Sequence, residues 1–252
     1  MSGARTARRG RLGWAGLAVA LGLSASGSSA VEIARMKLPA DAAARMTRHA
    51  ATGLGGFNSG RYELGGFSGE FERSESRLSL FGSGFAANRG KSRFSLDGPG
   101  LGSPTSGECE FAENVVVIGV VTFDPKKLVY SCTIGSGDGR YEGRLLLGEP
   151  SSKTLGERAL AYDLRRGEAE LGGIRISIAS VHELEGSWFS SPAPVGYLFT
   201  LAGDVVGAVE LTDSDPTVLL PEGRDEHERV IALTIAVALA VLRDPASSAL
   251  AE

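Results

Sequence analysis

Val230-Ile231-Ala232-Leu233-Thr234-Ile235-Ala236-Val237-Ala238-Leu239-Ala240-Val241-Leu242 decides how this chain is read. Asp225 stands three residues before Glu228, a capping-box spacing. Acids at 225, 226 and 228 suit the positive end of a helix dipole, while Arg243 and Pro245 mark the stop. The helix so delimited has no polar face, and a helix apolar all round must be buried on every side. At about 1.5 Å per residue it spans roughly 20 Å, short of the ~30 Å of a hydrocarbon core. Ala232, Ala236 and Ala240 recur every four residues, so one face should lie close to a neighbour.

What precedes the helix supplies something to bury it in. From Phe57 to about Leu220 apolar and polar residues alternate in short runs bounded by glycine. Arg61–Leu64, Glu70–Phe71–Glu72, Arg77–Phe81 and Arg93–Leu96 are the first of these strand candidates. Val115–Phe123, Leu128–Ile134, Tyr141–Leu147, Ala159–Leu164, Glu168–Leu171 and Ile174–Val181 follow, with Arg166–Gly167 read as a turn. Tyr197–Leu201 and Val205–Leu211 make a hairpin across Ala202-Gly203-Asp204. About eleven or twelve strands with no helices between them exclude parallel crossovers, so the sheet is antiparallel. The predicted fold is mainly β: a closed antiparallel barrel over 56–245 around the buried C-terminal helix. Residues 31–55 are an extension holding a helix over Pro39–His49, which alanine, arginine and the position of Pro39 favour. Residues 246–252 are a disordered tail.

Gly196–Asp213 (GYLFTLAGDVVGAVELTD) and Glu228–Pro245 (ERVIALTIAVALAVLRDP) look like a final hairpin feeding a central helix. In this the chain resembles the tubby/phospholipid-scramblase-like fold, a closed β-barrel with a hydrophobic C-terminal helix through its centre. The resemblance is architectural and covers roughly residues 56–245. It implies binding of phosphoinositides or movement of phospholipids at a cytoplasmic membrane face. The chain departs from that pattern in its leader, its acidity and its lack of a cysteine-rich palmitoylation cluster. No functional residue of the family maps onto a position here.

Arg5, Arg8, Arg9 and Arg11 precede an apolar run, Leu12–Leu23, and then small residues ending at Ser28 and Ala30. This is the pattern of a secretory signal cleaved after Ala30, which would send the chain to the periplasm or outside the cell. An uncleaved anchor and, from Arg8–Arg9, a twin-arginine route are the alternatives. The chain of 252 residues has a net charge of −4, and 42 % of it is apolar, too much for a disordered chain. Taking the four leader arginines from its 26 basic residues leaves 22 against 30 acids, a net of −8. So acidic a surface gives no reason to expect nucleic acid, and anionic lipid headgroups repel it. Glycine, with 35 residues, is at about twice its usual share of roughly 7 %, as many tight turns require. The two cysteines, Cys109 and Cys132, lie in the exported part. An oxidising compartment favours a disulfide between them, closing about 22 residues and contributing roughly 3 kcal/mol.

Cofactor motifs fail on context. Gly84–Ser92 nearly spells a P-loop, but Phe85 stands where the first glycine belongs and a strand, not a helix, follows. Gly82–Ala87 fits a loose dinucleotide pattern without the βαβ unit. No nucleotide or other cofactor is therefore expected. The histidines and cysteines have no metal-ligand spacing. Asp213, Asp215, Glu222, Asp225 and Glu226 offer oxygens for calcium, though a solvated loop and a helix cap are the simpler reading. His182 and His227 are the candidate bases if a hydrolase site assembles on folding. Trp188–Phe189, between Ser187 and Ser190, are aromatics in a loop. Such residues more often pack back over a barrel end, which is the expectation here; exposed, they would offer a rim contact to a partner or a lipid surface. The sequence favours a non-enzymatic exported protein that binds a protein partner or a lipid surface at one rim. The alternatives are a hydrolase using His182 or His227, and a membrane association through the C-terminal helix.

Overall fold

The computed structural model describes residues 34–55, 58–79, 86–112, 129–150 and 162–242. Within them a short helix α1 (Ala40–Ala43) is followed by β1 (Met46–Ala50), β2 (Ser59–Leu64), β3 (Phe67–Ser79) and β4 (Ala86–Leu96). Then come β5 (Thr105–Ala112), β6 (Val129–Ser136), β7 (Gly143–Gly148), β8 (Arg166–Leu171) and β9 (Ile174–Val181). β10 (Gly196–Leu201), β11 (Asp204–Glu210), β12 (Thr217–Pro221) and α2 (Glu226–Val241) complete the chain. The leader, the run Val115–Phe123, the first residues of the P-loop-like segment and the C-terminal tail fall outside the described residues.

From β2 to β12 each strand pairs antiparallel with its successor, and β1 then pairs with β12. This wraps twelve strands into a near-closed barrel, as the period-two alternation requires. The ends of the sheet, β1 and β2, are joined through the bridge of Thr52, just past β1, with Glu63, where the Glu63 N–H donates to the Thr52 carbonyl at 3.0 Å. Alternate residues point inward: Tyr62 and Leu64, Phe94 and Leu96, Tyr130, Cys132 and Ile134, Ile176 and Ile178. Cys109 and Cys132 face each other directly across β5 and β6 and form the disulfide.

The apolar helix lies inside this wall, with every residue from Val230 to Val241 buried. The one polar side chain in that buried stretch, Thr234, donates to the Val230 carbonyl one turn back. Gly207 on β11 allows close approach: a Cβ there would stand 3.2 Å from that of Ala232. Of the alanines spaced four apart, Ala232 thus finds its close neighbour. Asp225 caps the helix by accepting the His227 N–H at 3.0 Å. The expected box partner does otherwise, for Glu228 pairs with Arg224 at 3.1 Å. At the other end the barrel wall supplies donors for the orphan carbonyls. The Tyr130 hydroxyl donates to Ala238 at 2.6 Å, and buried Arg73 reaches the carbonyls of Ala240 and Leu54.

Two sequence expectations are corrected. The helix over Pro39–His49 shrinks to Ala40–Ala43, because Met46–Ala50 is taken into the barrel as β1, inside the stretch read as an extension. Arg166–Gly167 open β8 rather than turn. The reversal into β9 falls on Gly172–Gly173, both with positive φ, as a two-residue hairpin demands. Arg35–Leu38 is a strap over the outer face of β10–β12. Met36 is buried there with Ala208 and Leu219. Its N–H donates to Glu210 Oε2 at 2.6 Å, and Arg48 pairs with the other oxygen of that buried carboxylate.

Candidate functional site

With α2 occupying the interior, the rim is where this barrel can meet other molecules. On the wall, a depression of about 590 Å³ over β2–β4 is lined in part by Arg61, Glu70, Glu72 and Arg93, the first two paired across it at 2.9 Å, and others of about 650 and 560 Å³ lie over β2–β3 and β4–β6. The chain between β9 and β10, residues 182–195, is different. At its tip Trp188 is 89 % exposed and Phe189 66 %, with ring centroids 4.4 Å apart. Residues of this size are not left in water without structural cause. Here the cause is a turn closed by its own hydrogen bonds. Ser187 N–H donates to Leu184 O, Phe189 N–H donates to Ser187 Oγ, and that hydroxyl donates to Phe189 O. The expectation that the pair folds back over the barrel end is overturned: helix side chains already fill the interior, and the turn is complete without it.

The root of the loop is held on both arms. The outgoing arm pairs with the strap. Lys37 N–H donates to Glu183 O at 2.9 Å, Glu185 N–H to Arg35 O at 2.8 Å, and Lys37 Nζ meets Glu183 Oε2 at 2.6 Å. The returning arm is tied through His182. Ser191 N–H donates to His182 O at 2.7 Å, and His182 Nδ1 lies 3.0 Å from Ser191 O. A carbonyl only accepts, so Nδ1 carries the proton and Nε2 is the acceptor. The Ser180 hydroxyl donates to Nε2 over 2.9 Å, and its oxygen accepts the Arg165 N–H at 3.0 Å. Tyr162 stacks on the imidazole at 4.9 Å, and Asp163 N–H donates to Pro192 O at 3.0 Å. His182 is 5 % exposed. Burial lowers its pKa from the ordinary value; Arg165 adds to the shift, and the Ser191 carbonyl and Asp163 oppose it.

Of the two histidines singled out as bases, His182 thus meets a serine and His227 does not. His227 Nε2 lies 3.3 Å from Gly172 O, with the Tyr141 ring at 5.2 Å. Four of the five acids offered for calcium accept hydrogen bonds from other groups, Asp225 among them through the His227 N–H. Asp215 Oδ1 accepts from Gly53 and Gly55 N–H, Asp213 from Ser214, and Glu222 from Thr47. Sequence reasoning missed Ser180 and Tyr162 as partners of His182. The first was legible in principle: Ile176, Ile178, Ser180 and His182 continue one period-two face. The strap was not, since nothing in Arg35–Leu38 distinguishes it from a linker.

No family model, curated protein or solved structure matches this chain. Its functional reading therefore rests on geometry. The disulfide is compatible with an exported protein, and no helix among the described residues is long and apolar enough to cross a membrane.

Proposed function

We propose that this is an exported, non-enzymatic docking protein that engages a protein partner through the Trp188–Phe189 tip. One observation carries the reading: two adjacent aromatics, 89 % and 66 % exposed, stand on a loop braced at both arms. Pre-ordered aromatic anchors surrounded by charge are the pattern of an interaction hot spot. The charged surround is here supplied by Arg35, Lys37, Glu183 and Glu185, all exposed or at the strap. A protein partner is favoured over a membrane because the chain after residue 30 carries a net of −8 and two aromatics form a small anchor. The resemblance to tubby/scramblase-like barrels is one of architecture alone, and no lipid chemistry is taken from it.

The test is photo-crosslinking in the cells that make the protein, with benzoylphenylalanine replacing Phe189. A discrete protein adduct is expected, lost on Trp188→Ala and absent when the probe replaces Ser177 on the outer wall. No adduct above that control overturns the docking reading. Trp188 is the sole tryptophan after residue 30, so its emission also reports on lipid. A blue shift with phosphatidylcholine vesicles would replace the protein partner by a membrane.

A second reading has one observation in its favour, the 2.9 Å contact of Ser180 Oγ with His182 Nε2. It would make Ser180 a hydrolase nucleophile with His182 as its base. A fluorophosphonate adduct on Ser180, seen by intact mass, would support it; an unmodified Ser180 removes it.

A further inference from the structure

Resting on the docking reading above, we infer that His182 is a pH-sensitive clasp for the tip: a proton on Nε2 loosens the root of the 182–191 loop and disorders Trp188–Phe189. The geometry makes the clasp specific to the neutral ring. With Nδ1–H on Ser191 O, Nε2 must accept, and it accepts the Ser180 hydroxyl hydrogen. Ser180 Oγ in turn accepts the Arg165 N–H. A second ring proton turns Nε2 from acceptor to donor, so the Ser180 hydroxyl must rotate its hydrogen away and accept from the ring as well as from Arg165 N–H. The resulting cation sits in a 5 % exposed site.

The groups facing the ring come from three segments. Tyr162, Asp163 and Arg165 lie before β8, Ser180 stands on β9, and Ser191 and Pro192 are on the returning arm. Burial is the largest influence against the cation and Arg165 adds to it, while the backbone at Ser191, Asp163 and the backbone at Pro192 favour it. The same three segments are joined by backbone bonds at the root: Ser191 to His182, Asp163 to Pro192, and Ser180 N–H to Arg165 O. Moving the ring therefore disturbs the returning arm, while the strap still holds the outgoing arm. The tip is released on one side, so its two aromatics lose their fixed place. Other histidines do not reach this loop: His49 packs against Gly65 and His227 against Gly172 and Tyr141.

The experiment uses the full chain from residue 31 and two readouts from about pH 8 to about pH 5. The His182 ring proton is followed by NMR, and the fluorescence anisotropy of Trp188 is followed in parallel. Anisotropy is expected to fall by half or more with the midpoint of the His182 titration, reversibly and with unchanged far-ultraviolet circular dichroism. Ser180→Ala removes the conflicting hydrogen, so its His182 midpoint should rise and the anisotropy change should follow it. His49→Gln should leave both unchanged. Anisotropy that stays constant while His182 titrates overturns the clasp, as does a fall that tracks His49. Neither readout contains a partner, so the clasp and the docking reading fail separately. A pH-dependent tip with no crosslink at 189 retains the clasp and discards docking. A crosslink of equal yield at both ends of the pH range does the reverse.

Discussion

The Tyr130 hydroxyl, on β6, donates a 2.6 Å hydrogen bond to the carbonyl oxygen of Ala238, in the last turn of a helix enclosed by apolar side chains. A helix ends with four carbonyls that have no partner of their own, and inside a barrel no bulk water is there to serve them. Tyr130 and Arg73 do what solvent does for a surface helix, and this is how an apolar helix can end within the wall.

Tyr130→Phe deletes that donor and leaves the Ala238 carbonyl buried without it. The expected cost is about 1–3 kcal/mol. It should appear as a lowered midpoint in urea with an unchanged slope, because the surface exposed on unfolding is the same. A midpoint equal to wild type would mean that the carbonyl has another donor.

Cys109 and Cys132 join strands on either side of residues 113–128, so their bond closes a long loop in the unfolded chain. Replacing both by serine, or reducing the bond, should lower stability by ~2–4 kcal/mol. The comparison of oxidised and reduced protein by thermal unfolding reads this directly. Equal melting temperatures would show that the barrel registers β5 against β6 without it.

Glu210 is a buried carboxylate whose two oxygens hold the strap through Met36 N–H and the wall through Arg48. Glu210→Gln keeps the shape and removes the charge from two charge-assisted bonds. A loss of about 2–3 kcal/mol is expected. Hydrogen exchange should locate it, with amides at 35–38 and 183–185 exposed first. Exchange rising evenly over the barrel instead would deny the strap any separate role.

His182 and His49 both titrate below their ordinary value of 6.5, burial being the leading cause in each, with Arg229 adding to it at His49. A histidine whose folded pKa is depressed binds fewer protons folded than unfolded. Its contribution is full above about 6.5, falls as pH drops through the window down to the folded pKa, and is then lost. Melting temperature should therefore be lower at about pH 5.5 than at about pH 7.5. Replacing both histidines by glutamine should flatten that dependence. A melting temperature that rises on acidification would reverse the sign and overturn the histidine account.

Three strands, β1, β5 and β12, are absent from the runs read in the sequence, and two of them, β1 and β12, pair with each other. Met46–Ala50 sits in a segment whose alanines and arginines favour helix, and cross-strand pairing with β12 overrides that propensity. Thr217–Pro221 shows no alternation, because Val218 and Leu220 face the core while Leu219 faces the strap. A strand covered on both sides has no polar period to detect.

By itself, the sequence determined the class of fold and the fate of its last helix. Those follow from period: two in the wall, none in Val230–Leu242, and a helix without a polar face has to be enclosed. The tertiary structure alone decided which residues face each other across long separations. It set Ser180, His182 and Ser191 on one clasp, laid Arg35–Leu38 over β10–β12, and left Trp188 and Phe189 in solvent. Periodicity is a property of neighbours along the chain, whereas a strap, a clasp and an exposed tip depend on which distant surfaces are already covered.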